Sequence, residues 1–241
     1  MTGRPDVLAC GEVACCLRDC IERPCTCGKT RYDCAVWSPF YTQPGRLHGW
    51  THETLSLALL SRASERYRLL IDSSKTAWRQ LFAPFKLRRE LGPRFHLLHA
   101  VRDPRGVCWS TVSGAWEQAA HVKIRSLRHI RTSCGWWAAN LSCELFGWFY
   151  PAQYTRVRYE DLVFSPCEVL DKLFDALLPG VVGISDGEET TDNRHQLYAN
   201  HGRYNTITRV QADVRWKTEM PRWHKSLATA LTWPLLRRYG Y

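Results

Sequence analysis

An α/β fold with a parallel sheet and helices on both of its faces is what this sequence predicts, from three observations. Short runs of aliphatic and aromatic residues alternate along the chain with longer helical patterns, and that alternation implies parallel pairing through helical crossovers. The length of 241 residues is enough for one domain with a real core and too short for two ordinary ones. Apolar residues make up 45% and charged residues 23% of the chain, which is globular usage and excludes disorder as the main state.

The elements follow in chain order. Residues 1–50 form a Cys-rich segment at the front of a single domain over 1–241, and the Pro/Gly-containing stretch 38–49 within it reads as a loop. A helical pattern over 53–67 leads into a strand, Tyr67-Arg68-Leu69-Leu70-Ile71-Asp72. A second helix over 77–91 precedes the strand Phe95-His96-Leu97-Leu98-His99-Ala100-Val101-Arg102. Helices over 104–116 and 131–148 come before a third strand, Tyr154-Thr155-Arg156-Val157-Arg158-Tyr159. Each strand is short and rich in aliphatic or aromatic residues, the mark of a buried strand. Helices over 166–178 and 221–238 complete the pattern, with a Gly/acidic loop over 180–192 between them.

Charge and cysteine usage bound the partners and the compartment. The balance of 33 basic to 23 acidic residues gives +10, and 26 of the basic residues are Arg. The planar fork of Arg suits phosphate or sulfate, so a polyanionic partner is favoured, whether nucleotide, nucleic acid or acidic substrate. No run of 18 apolar residues occurs and no apolar stretch follows Met1, so neither a membrane span nor a secretory signal is expected, which leaves a cytoplasmic address and no membrane partner. Seven of the eleven cysteines lie in the first 34 residues. Their odd total argues against a full disulfide framework. The spacing Cys20-x4-Cys25-x-Cys27-x6-Cys34 offers four thiolates to a zinc but lacks the CxxC pairs of common zinc modules, and buried, reduced thiols without metal are the expectation.

Ligands of open parallel sheets bind beyond the carboxyl ends of the strands. Those ends here run into Asp72-Ser73-Ser74-Lys75, Arg102-Asp103-Pro104-Arg105 and Tyr159-Glu160-Asp161-Leu162. Asp103-Pro104 is a helix start, so Arg102 stands just before a helix N-terminus, where an anion is favoured. On the helix that follows, Gly106, Ser110 and Ser113 share one small polar face, open to a phosphate within reach of Arg102 and Ser110. The competing reading pairs Arg102 with Asp103 or Glu160 and makes Ser110 a packing residue. A Ser pair at 73 and 74 is equally explained as a helix start.

With these residues in place, the chain resembles the sulfotransferases that use 3'-phosphoadenosine 5'-phosphosulfate. Val101-Arg102-Asp103-Pro104-Arg105 and Ser110 are similar to their 3'-phosphate motif, an Arg and a Ser eight positions later. Ile71-Asp72-Ser73-Ser74-Lys75 is similar to the strand end that delivers their active-site Lys, and Val157-Arg158-Tyr159-Glu160-Asp161-Leu162 to the segment whose Tyr contacts adenine. Asn200-His201-Gly202-Arg203-Tyr204 and Asp213-Val214-Arg215-Trp216 resemble the loop that closes over the nucleotide. Arg4-Pro5-Asp6-Val7-Leu8-Ala9-Cys10-Gly11-Glu12 resembles the stretch that carries the general base in tyrosylprotein sulfotransferases, and Cys25-Thr26-Cys27-Gly28 with Asp33-Cys34-Ala35-Val36-Trp37 resembles a bacterial subfamily.

The resemblance implies a three-layer fold like that of P-loop NTPases. It implies Glu12 as base, Lys75 as the cation beside the leaving oxygen, and Arg102, Ser110, Tyr159 and Arg203 as nucleotide contacts. It also implies 3'-phosphoadenosine 5'-phosphosulfate as co-substrate, an acceptor hydroxyl or amine on a small molecule, carbohydrate or protein, and no metal. The family's first strand and its 5'-phosphosulfate loop precede the position matched by Arg4-Pro5-Asp6, so both are expected to be missing here and the chain to be inactive as given. Gly28-Lys29-Thr30 is not a substitute, because a phosphate loop of that type needs Gly where Arg23 stands and a buried strand before it, which the segment ahead of Arg23 is not expected to supply. Two rivals remain: a nucleotide-binding remnant without catalysis, and a basic, Cys-rich nucleic-acid-binding protein. The second is disfavoured because the aromatics fall in helical stripes typical of cores.

Overall fold

The computed structural model describes residues 6–17, 24–41, 47–76, 80–113, 122–178, 193–198 and 212–241. In chain order its elements are β1 (Val7–Gly11), a 3-10 turn (Val13–Cys15), α1 (Ser38–Tyr41), α2 (His52–Ala63), β2 (Leu69–Asp72), α3 (Ala83–Leu91), β3 (Leu97–Val101), α4 (Pro104–Ser113), α5 (Val122–Phe149), β4 (Tyr154–Arg158), α6 (Tyr159–Phe164), α7 (Pro166–Leu177), α8 (Trp216–Glu219) and α9 (Arg222–Arg238). The chain is α/β with short parallel pairs, β1 beside β2 and β3 beside β4. Its residues fall into two compact units, the first comprising Met1–Lys75, Lys86–Phe95 and Leu170–Arg209, the second Thr76–Phe85, His96–Val169 and Val210–Tyr241.

In the first unit, β1 is buried along its whole length. Its side chains alternate across the pair. Leu8 and Cys10 join a core with Trp37, Phe40, Leu55, Leu59 and Leu197, while Val7 packs with Phe174 and Leu178. Burial on both faces explains why Val-Leu-Ala-Cys shows no polar alternation, and why it is easily overlooked within a Cys-rich stretch. The expectation that no buried strand lies ahead of Arg23 is therefore corrected: Val7–Gly11 is one, in register with Leu69, Leu70, Ile71 and Asp72. The stretch 38–49 is also not wholly loop, since Ser38–Tyr41 makes a helical turn around the buried Phe40. Helix α2 begins one residue earlier than its pattern suggested because Thr51 and Thr54 cap it reciprocally, the Thr51 hydroxyl accepting from the Thr54 N–H and the Thr54 hydroxyl from the Thr51 N–H.

In the second unit, β3 and β4 pair in register from Leu97 opposite Tyr154 to Val101 opposite Arg158. Val101, Trp136, Leu235 and Tyr239 form one buried cluster of this unit, and Cys108, Met220 and Ala228 another. The buried His99 is held between the Asn140 amide at 2.8 Å and the Tyr154 hydroxyl at 2.7 Å. Burial pulls its pKa down, which keeps it a neutral structural link between strand and helix. Helix α5 starts nine residues before the expected 131, and α3 starts at Ala83 rather than 77. Among the described residues no helix is long and apolar enough to cross a membrane. The loop expected over 180–192 lies outside the described residues.

Candidate active site: two strand ends

The carboxyl ends of β1 and β2 lie side by side, with Gly11 opposite Asp72. Beyond them Glu12 and Lys75 meet: the Lys75 Nζ stands 3.0 Å from Glu12 Oε1. Glu12 is buried and Lys75 is exposed, so a buried carboxylate is paired with a cation at the surface. Asp72 organises this end. Its Oδ1 accepts the Ser74 N–H at 2.8 Å, the Ser74 hydroxyl at 2.6 Å and the Val13 N–H at 3.2 Å, while Oδ2 lies 2.6 Å from His52 Nε2. The Ser74 hydroxyl in turn accepts the Ala14 N–H. Ser73 and Ser74 therefore do not start a helix. They close an Asx turn on Asp72, and the Ser73 N–H bonds the Gly11 carbonyl at 2.7 Å.

Sequence reasoning named Glu12 and Lys75 and missed the Asp72–His52 pair that sets their frame. Asp-Ser-Ser after an apolar run is also a turn signal, through which Asp72 could have been found; nothing local pointed to His52, twenty residues away. Cys15 Sγ donates to Glu12 Oε2 at 3.5 Å, while burial pushes the Cys10 and Cys16 thiols well up, which disfavours their thiolate forms.

Gly11 makes the approach possible. Its φ is +75°, and a Cβ there would stand 2.7 Å from the Tyr198 carbonyl oxygen, which accepts the Glu12 N–H at 3.1 Å. Gly11→Ala is expected to cost about 2 kcal/mol or more, from left-handed strain plus that clash. The check is a urea titration, read as a lower midpoint at unchanged slope; an unmoved midpoint would refute the assignment of strain to this turn.

The second unit has its own strand end, at Arg102 after β3 and Tyr159 after β4. The Arg102 guanidinium lies 4.7 Å over the Tyr159 ring, donates to the Asp213 carbonyl at 3.1 Å and stands 3.3 Å from Asp213 Oδ2. The Tyr159 hydroxyl accepts the Asp213 N–H at 3.3 Å. Hydrogen bonds from Arg215 and from Arg102 hold the Asp213 carboxyl below its ordinary range. Asp103 caps α4 through the Arg105 N–H at 2.8 Å and takes the Arg105 guanidinium, Nη2 to Oδ2 at 2.6 Å. Arg102 thus pairs with neither Asp103 nor Glu160, as the competing reading had it.

One expectation about α4 is corrected. The face through Gly106 is not open: a Cβ at Gly106 would meet the Trp216 ring at 3.1 Å and Arg102 Nε at 3.4 Å. The Trp216 ring also receives the Arg105 guanidinium at 4.7 Å. Ser110 stands exposed further along the helix, and the side chain of Ser113 lies outside what is described. Asp213 and Trp216 belong to the stretch compared above with a closing loop, and they sit on Arg102 and Arg105. Arg203 lies outside the described residues.

The arrangement can do two kinds of chemistry: proton removal by a buried carboxylate beside a cation at one strand end, and oxyanion binding by an arginine stacked on a tyrosine at the other. None of the curated proteins compared with the chain matches it. Among solved structures it is similar to a sulfotransferase domain from the curacin biosynthetic pathway, with 22% identity over 77% of this chain and 68% of that one at a TM-score of 0.44. Residues 48–178, which carry Lys75, Arg102, Ser110 and Tyr159, match the sulfotransferase family; they are more than half of the sequence, and the chain belongs to that family.

Proposed function

We propose that, against the inactivity expected from the sequence, this chain transfers a sulfuryl group from 3'-phosphoadenosine 5'-phosphosulfate to a hydroxyl or amine on a small-molecule, carbohydrate or protein acceptor. The observation that carries the reading is the contact of Glu12 with Lys75 at 3.0 Å beyond a parallel strand pair, a base and a cation together where ligands of such sheets bind. Glu12 takes the acceptor's proton as its oxygen or nitrogen attacks sulfur. The bond from sulfur to the 5'-phosphate oxygen breaks, and Lys75 neutralises the charge left on that oxygen. Such transfer is mostly positioning and electrostatics.

Arg102 and Ser110 are assigned to the 3'-phosphate and Tyr159 to adenine. The stacked Arg102–Tyr159 pair supports this, because the guanidinium is already oriented toward the oxyanion of Asp213, which a phosphate would replace. Arg203 keeps its proposed contact role. The reading includes one domain over 1–241 with the three-layer, P-loop-like architecture that the resemblance implies, and the burial of β1 on both faces supports the layering.

Arg102→Ala is expected to cost adenosine 3',5'-bisphosphate roughly 1.5–3 kcal/mol of affinity, the range for hydrogen bonds to charged groups, and to leave adenosine 5'-phosphate unaffected. Calorimetry with both ligands checks it; equal losses would remove the 3'-phosphate assignment. Transfer of radiolabelled sulfate to a panel of phenols, sugars and amines tests the activity itself, and a chain that binds the bisphosphate yet transfers to none of them would be a nucleotide-binding protein only.

A further inference from the structure

In the first unit, three thiols and an imidazole, none of them part of the Glu12–Lys75 pair, converge. One donor atom from each of Cys25, Cys27, Cys34 and His195 lies within 4.8 Å of every other. The Cys34 sulfur is 3.7 Å from the Cys25 sulfur and 3.2 Å from His195 Nδ1. A tetrahedral zinc with Zn–S bonds of about 2.3 Å separates neighbouring sulfurs by about 3.8 Å, so the Cys25–Cys34 spacing is already that of two ligands on one ion. It is far from the ~2.05 Å of a disulfide, and all three cysteines are free.

Backbone hydrogen bonds hold the segments that carry the four donors. Cys25 and Cys27 sit on a tight turn closed by the Gly28 N–H on the Cys25 carbonyl and the Cys25 N–H on the Lys29 carbonyl, both at 2.8 Å, with Gly28 at φ +82°. The Cys34 N–H bonds the Thr30 carbonyl at 2.9 Å and the Trp37 N–H bonds the Cys34 carbonyl at 3.1 Å, which fixes the backbone that carries the third thiol. His195 arrives from the far end of the sequence. It is laid along β1 by its N–H to the Ala9 carbonyl at 2.8 Å, and its own carbonyl accepts the Trp37 indole N–H at 2.6 Å. Thr26 ties the turn to the same segment through the Arg194 carbonyl and the Gln196 N–H.

We propose that Cys25, Cys27, Cys34 and His195 form a structural zinc site that staples the Cys-rich front of the chain to the segment around His195. Three sulfurs and one nitrogen in tetrahedral reach suit zinc over harder cations, and four protein ligands leave no position for substrate. The thiols lose their protons as the metal binds. This site replaces the four-thiolate arrangement considered from spacing alone, of which Cys20 lies outside the described residues, and it is independent of the sulfotransfer reading.

The test is metal analysis of the desalted full-length chain by inductively coupled plasma mass spectrometry, with cobalt reconstitution of the same chain as a second measurement. About one zinc per chain is expected, together with the visible absorption of tetrahedral, thiolate-ligated cobalt. Cys34→Ser and His195→Ala are each expected to lose the metal, whereas Cys167→Ser, at an exposed cysteine, keeps it. Chelation is expected to lower the melting temperature of the wild-type chain. The proposal is overturned by a zinc-supplemented chain that carries no zinc and gives no such cobalt spectrum. It is equally overturned by mass spectrometry of the alkylated protein that finds a disulfide among the three cysteines.

Discussion

Glu12→Gln is expected to lower kcat for sulfuryl transfer by roughly 10²–10⁴, the usual contribution of a positioned general base, while the affinity for adenosine 3',5'-bisphosphate stays within about threefold of wild type. The amide is nearly isosteric with the carboxylate but cannot accept the acceptor's proton. Stability is expected to change little by comparison, because the Lys75 partner is 61% exposed and ion pairs to such lysines contribute well under about 1 kcal/mol. That separation distinguishes catalysis from scaffolding. Single-turnover transfer and a urea titration on the same preparation check it, and a kcat within threefold of wild type, or a loss of activity matched by unfolding, would falsify the role. Lys75→Ala should also depress kcat. Combined with Glu12→Gln it should lower kcat by less than the product of the two effects, since base and cation act on one transition state.

A loss of stability on mild acidification is the second large effect. In the second unit the His129 and His224 rings stack with centroids 3.9 Å apart, and the Trp223 ring lies 3.6 Å from that of His224. Both rings are buried. Burial and the neighbouring His224 push the His129 pKa down to about 4, because a second imidazolium would face the first in a dry site. A histidine with a folded pKa below its unfolded value of about 6.5 binds its proton more readily in the unfolded chain. Its stabilising contribution is therefore complete above pH ~6.5, shrinks as the pH falls, and levels off below the folded value. Between pH 7 and pH 5 the unfolding free energy is expected to drop by about 2 kcal/mol from this group, at 1.36 kcal/mol per unit. His99 adds to the drop with the same sign, its pKa also lowered by burial. Urea midpoints across that range test it. His129→Gln should flatten the dependence, and a wild-type profile flat between pH 7 and pH 5 would show that the stacked pair is not buried as described.

Much of the architecture was legible locally. Three strands and six helices were placed near their observed positions because each carries its own signal: an apolar run, or a helical pattern opened by Pro at the first turn, as at Pro104 and Pro166. What escaped did so for a stated reason. Val7–Gly11 is buried on both faces and has no alternation to read. The Gly106 face looked open because a small residue on a helix is silent about what covers it, and its cover, Trp216, is 110 residues away. Ser73 and Ser74 looked like a helix start because a capping serine and an Asx-turn serine are the same residue in sequence.

By itself the sequence determined the α/β class, the family through its ordered strand-end motifs, and the identity of Glu12, Lys75, Arg102 and Tyr159 as candidates, since strand ends and helix starts are written within a few neighbouring residues. Only the tertiary structure decided partners. It put Lys75 on Glu12, Asp213 rather than Asp103 on Arg102, His52 on Asp72 and His195 on Cys34. Those pairs span 20 to 161 residues of chain, and nothing in local propensity or spacing constrains which distant side chain a fold delivers to a buried charge or thiol. That choice is made by the cost of leaving the buried group unpaired, a cost that exists only once the core has closed around it.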